Sequence, residues 1–166
     1  MVTGFARWLS APLWLRWVGL AAACALVIAA TLYPGDDGEG SASAIVAFVL
    51  NLGHFALYGL LALATAGALG IEPGSRPLAA AAVTAFVGVV GWLDEWHQSL
   101  QPLRDASLWD IGADLLGAVI ALTAAAWSSR GLGLRVRLLP LAGLLCVAVG
   151  WTLLTTYGPT LRPPLP

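Results

Sequence analysis

Apolar residues run through this chain in stretches of about twenty, the length a helix needs to cross the hydrocarbon core of a bilayer. Short polar or Gly/Pro-containing breaks separate them. The pattern predicts helices over about 13–33, 43–69, 78–98, 107–127 and 138–157. The first break holds Asp36, Asp37 and Glu39 with Gly38 and Gly40, and the second holds Pro73, Gly74 and Pro77. The fourth is arginine-rich and punctuated by Gly131 and Gly133. The expected fold class is therefore all-α, a polytopic transmembrane helical bundle of about five spans. Residues 1–12 are read as an N-terminal cytoplasmic segment, 13–157 as the helical domain and 158–166 as a Pro-rich extracytoplasmic tail.

Composition supports that pattern. The chain is 59% hydrophobic and 10% charged, against roughly 25% charged residues in soluble domains. A net charge of -1 gives no reason to expect nucleic acid as a partner. Cys24 and Cys146 sit in the middle of apolar runs without CxxC spacing, so neither a thiolate metal site nor a structural disulfide is expected. Leu20 to Cys24 resembles a lipoprotein cleavage site, but the apolar run continues to Leu32, as in an uncleaved span.

All eight basic residues are arginines, and their placement sets an orientation. With a cytoplasmic N-terminus, Arg7, Arg16, Arg76, Arg130, Arg135 and Arg137 fall inside and Arg104 and Arg162 outside, as the positive-inside rule favours. The C-terminus and the loop between the third and fourth spans then lie outside. Trp8, Trp14 and Trp17 cluster near one end of the first span, and Trp92, Trp96 and Trp109 flank the third loop. Interfacial anchoring is the expected role of such rings.

Charge is concentrated where the membrane makes it expensive. Five of the nine acids fall between residues 94 and 114, and ionisable groups within spans are costly unless paired or functional. Asp94, His97 and Gln98 have the i, i+3, i+4 spacing of one helical face. Glu95 is turned about 100° from Asp94, so both carboxylates meet one site only if the helix end unwinds or the site is broad. Ser107, Asp110 and Asp114 open the fourth span, with Ser107 as a candidate cap and the helix N-terminus favouring carboxylates. Asn51, His54 and Tyr58 form a polar stripe on the second span. Three spans can thus converge on one outward-opening polar pocket. Each group also has a structural use: Asp110 and Asp114 in a buried hydrogen-bond network, His54 as a bonded core histidine, His97 as a solvated loop residue.

The assembled residues resemble the VanZ-like family of small bacterial membrane proteins. Asp94, Glu95 and Gln98 match its DE-x-x-Q core, with His97 before the glutamine. Arg104, Ser107 and Asp110 match the following positions, and Gly117 the glycine of an Asn-x-x-Gly element. His54 and Tyr58 match a His-x-x-x-Tyr element upstream. Asp114 stands where the family usually has asparagine, and Pro102-Leu103 where Pro-Gly is usual. The resemblance covers roughly residues 45–125. It implies residence in the bacterial cytoplasmic membrane and an association with teicoplanin-type glycopeptide resistance.

Three function classes follow. The first is an intramembrane enzyme acting on a lipid-linked or phosphate-bearing envelope headgroup, with His54 or His97 as general acid or base, Asp94, Glu95 and Asp110 beside them, and Asn51, Tyr58, Gln98, Arg104, Ser107 and Asp114 binding substrate. The second is a protein that binds a membrane lipid, a lipid-linked precursor or an antibiotic without turnover. The third is a small transporter or lipid translocator. His54, Asp94, Glu95, His97, Asp110 and Asp114 also offer enough nitrogen and oxygen ligands for a divalent metal, although no HExxH motif is present. No phosphate-binding loop for nucleotides occurs.

Overall fold

The computed structural model describes residues 4–32, 41–101, 106–129 and 134–157. The chain is all-helical over its long elements: α1 (Gly4–Leu9), α2 (Leu13–Thr31), α3 (Ser41–Ala68), α4 (Pro77–Gln98), α5 (Leu108–Ser129) and α6 (Leu134–Tyr157). Helices α2 to α6 fall on the five expected segments. Among the described residues, four helices (α2, α3, α4 and α5) carry stretches long and apolar enough to cross a membrane. In α6 the described apolar stretch is Ala142–Leu154. The short α1 lies within residues 1–12, read from the sequence as an N-terminal cytoplasmic segment. Its Trp8 ring lies close against Gly19 and Gly67, so this tryptophan also packs between helices.

Local chemistry explains the ends. Pro77 opens α4 at a position where a missing N–H costs nothing. Helix α3 stops at Gly70, whose φ of 65° is the left-handed conformation glycine adopts without penalty. The Ile71 N–H donates to the Ala66 carbonyl at 2.8 Å and the Gly70 N–H to the Gly67 carbonyl at 3.1 Å. That pair of bonds is a Schellman closure. Arg16 Nη1 reaches across from α2 and donates to the Gly67 carbonyl at 3.0 Å. A cation at a helix C-terminus also complements the helix dipole. Arg16 therefore ties α2 to α3, beyond the topological role its position suggests.

The bundle is built around α3, which packs against all the other helices, most extensively against α5. Glycines permit that crossing. A Cβ at Gly117 would lie 2.8 Å from Phe55 Cα, and one at Gly59 would lie 3.0 Å from the Gly117 carbonyl oxygen. Close backbone approach through small residues is how helices associate when lipid removes the hydrophobic drive between them. The core is correspondingly small and partly polar. Ala62, Ala66 and Ala118 are fully buried, and so are Glu95, Asp114 and Thr152. Trp14, Leu78, Val89, Trp92 and Leu145 are exposed. Large apolar groups outside and carboxylates inside is the distribution expected of a bundle solvated by lipid.

Candidate functional site

The C-terminal ends of α2, α4 and α6 and the N-terminal ends of α3 and α5 gather at one end of the bundle. Cross-links between elements mark this end: Asn51 Nδ2 on α3 donates to Thr156 Oγ1 on α6 at 3.0 Å, and the Trp151 indole on α6 donates to the Trp109 carbonyl on α5 at 3.1 Å. The Trp109 and Trp151 rings meet edge to face, 5.0 Å apart. Trp109 is thus a helix-packing residue as well as one flanking the third loop.

The acidic end of α4 remains helical through Gln98, and the two neighbouring carboxylates face different helices. Asp94 turns to α3, where the Tyr58 hydroxyl donates to its Oδ2 at 2.7 Å. Glu95 turns to α5, accepting the Ser107 backbone N–H on Oε2 at 2.7 Å. Gln98 Nε2 donates to Glu95 Oε1 at 3.3 Å. The 100° step between consecutive helical residues, an obstacle for a single narrow site, is what lets Asp94 and Glu95 each serve a separate neighbour. No unwinding is needed, because the site is broad. Ser107 precedes the first residue of α5, and its Oγ accepts the Trp109 N–H at 3.2 Å, the N-cap geometry expected of it.

His54 on α3 completes the link to α5. Its Nδ1 lies 2.8 Å from Asp114 Oδ1, with Asp114 fully buried. The ring stacks nearly parallel on Tyr58, one helical turn away, with a centroid separation of 5.9 Å and an interplanar angle of 7°. His54, Glu95 and Asp110 each bring a potential ligand atom within 4.8 Å of the other two. Gly91 of α4 makes room for Asp114, since a Cβ there would collide with the Asp114 Oδ2 atom.

The structure thus gathers His54, Tyr58, Asp94, Glu95, Gln98, Ser107, Asp110 and Asp114. His97 lies apart from this cluster: Gln101 Nε2 donates to its Nδ1 at 3.0 Å and also reaches the Thr31 carbonyl of α2 at 3.5 Å. Sharing a nominal face with Asp94 and Gln98 does not carry His97 inward, because it lies at the last turn, where α4 meets the end of α2. Asn51, at the top of the α3 stripe, faces α6. Arg104 falls outside the described residues, as do the acids of the first loop. Gly91 and Gln101 were not anticipated; a glycine seven residues upstream of Gln98 becomes meaningful only once Asp114 is known to lie opposite.

Beside the cluster is a cavity of about 530 Å³ between α2, α3 and α4. Its apolar wall includes Leu26, Ala29, Ala30, Val49, Leu50 and Leu57, and its polar side carries His54, Tyr58, Asp94 and Gln98. Leu26, Val49 and Leu50 are exposed, so the cavity opens on the flank of the bundle. Asp94 Oδ1 is buried and has no hydrogen-bond partner among the described residues. A buried carboxylate oxygen in that state is a strong acceptor for any donor that enters. Chemically, the Asp114–His54 pair can orient an imidazole for proton transfer, and Asp94 can receive a hydroxyl or ammonium group.

No family model matches the chain, and no curated protein or solved structure matches it, so the resemblance to the VanZ-like family rests on the residues that carry it.

Proposed function

We propose that this chain is a VanZ-like protein of the bacterial cytoplasmic membrane that takes the headgroup of a membrane lipid or lipid-linked envelope precursor into the polar end of its bundle. The observation that carries this reading is the cavity in which apolar residues of α2 and α3 face Tyr58, Asp94 and His54. An amphiphile needs both surfaces in one place: hydrocarbon against Leu26, Val49 and Leu50, and polar atoms against the buried Asp94. The N-terminus is cytoplasmic in this account and the polar end extracytoplasmic, where envelope precursors are exposed. The family's association with teicoplanin-type resistance fits a protein that alters such a precursor or its availability.

The Asp114–His54 pair favours turnover over simple binding. Asp114 holds one ring nitrogen and orients the imidazole, so that the other can take a proton from water or a substrate hydroxyl or, when an ion is bound, serve as its ligand instead. Incubating purified protein with envelope lipids and following the lipid pool by mass spectrometry separates the two. A product that grows with time in the wild type and not in His54→Gln establishes catalysis. A lipid that stays bound and unchanged establishes the binding form. No lipid retained in either state contradicts the proposal.

A further inference from the structure

We infer that His54, Glu95 and Asp110 form a divalent-cation site at the N-terminal end of α5. The three residues come from three helices, α3, α4 and α5, yet their ligand atoms already lie within 4.8 Å of one another. Ligands held about 2.1 Å from a common ion lie roughly 3–3.5 Å apart. The remaining gap is roughly 1–2 Å.

The surroundings are those of a supported coordination sphere. Metal-ligating histidines commonly bind a carboxylate through the ring nitrogen that does not face the ion, which sets the tautomer and the ring plane. Asp114 Oδ1 occupies that position on His54 Nδ1 at 2.8 Å, and stacking on Tyr58 fixes the ring plane. With Nδ1 engaged by Asp114, Nε2 is the nitrogen left for an ion. Ligating carboxylates are likewise held by hydrogen bonds, and Glu95 is held by the Ser107 N–H at 2.7 Å and by Gln98. Asp114 therefore acts from outside the sphere. Asp94 is turned away to Tyr58 and His97 to Gln101, so neither belongs to the set.

One imidazole and two carboxylates suit Mn²⁺ or Zn²⁺ better than Ca²⁺, which takes six to eight oxygens. Three protein ligands leave positions open, the mark of a site that receives water or substrate oxygen. The cation site stands without the lipid reading; its consequence, an ion placed to hold a phosphate oxygen, rests on that reading.

The test is equilibrium dialysis of detergent-purified, chelator-stripped protein against Mn²⁺ and, separately, Zn²⁺, with bound metal measured by elemental analysis. Wild type and His97→Ala are expected to hold one ion per chain. Glu95→Gln keeps an acceptor for Ser107 and Asp110→Asn keeps its shape; each is expected to lose binding at the concentration that saturates the wild type. Asp114→Asn is expected to weaken it by about 10–100-fold, the usual effect of removing an outer partner. Pulsed electron paramagnetic resonance of the Mn²⁺-loaded wild type should show coupling to one imidazole nitrogen. A wild type that binds no ion, lacks that coupling, or binds no better than well-folded Glu95→Gln and Asp110→Asn overturns the inference. Metal binding without lipid retention removes the lipid reading alone, and lipid retention without metal binding removes the cation site alone.

Discussion

Gly91 of α4 stands directly against the carboxylate of Asp114 on α5, with Asp114 Cγ 3.2 Å from where a Cβ would lie. A buried carboxylate can occupy this interface only because the facing residue has no side chain. Gly91→Ala should push Asp114 off His54 and destabilise the bundle. Overpacking of this kind costs about 1–3 kcal/mol, against roughly 1 kcal/mol that alanine gains over glycine in a helix, so a net loss of up to about 2 kcal/mol is expected. Thermal unfolding in detergent checks it, with Gly143→Ala as comparison, because a Cβ at Gly143 meets nothing within 4 Å. Equal midpoints for the two variants would contradict the account.

Tyr58 supplies Asp94 with its hydroxyl donor, while Asp94 Oδ1 has no partner among the described residues. Tyr58→Phe leaves a buried carboxylate with neither oxygen bonded by a described residue. The expected loss is about 1–3 kcal/mol, the cost of an unsatisfied buried polar group, rather than the ~0.6 kcal/mol typical of an interhelical hydrogen bond in a membrane. Combining Tyr58→Phe with Asp94→Leu removes the orphaned charge and should recover most of that stability. Non-additive unfolding midpoints in the double-variant cycle are the expected reading; strict additivity would show the two residues to be uncoupled.

The proposed orientation, with a cytoplasmic N-terminus, rests on the placement of the arginines. Alkaline phosphatase fused after Pro166 should be active and a fluorescent protein at the same point dark. Fusions within the second loop, after Gly74, should behave oppositely. Swapped results would invert the bundle and put the polar end in the cytoplasm.

The helices were legible because runs of apolar residues and Gly/Pro breaks specify a membrane span almost alone. Which face of each span turns inward was legible only where a polar residue marked it, since a helix apolar all round carries no directional signal. Asp94, Glu95, Gln98, Ser107 and Asp114 supplied such marks, and each is buried. His97 has the same helical spacing but pairs with Gln101 near the end of α2, a contact that spacing along α4 does not reveal. Gly91 and the Arg16 contact with Gly67 depend on which residue of another helix lies opposite, and a single sequence holds no record of that. Trp109 was half legible: its position suggested an interface, and its contact with Trp151 required α6 to be in place.

In the proposed function an amphiphile occupies the cavity beside Asp94. Gly53 lines that cavity, and a Cβ there meets nothing within 4 Å, so Gly53→Phe can fill the space without straining the backbone. Native mass spectrometry of wild type and Gly53→Phe, each purified from the same membranes, distinguishes an occupied cavity from an empty one. A co-purifying lipid or lipid-linked species present on the wild type and absent from a folded Gly53→Phe is the predicted result. The same bound species on both proteins, or none on either, would contradict it.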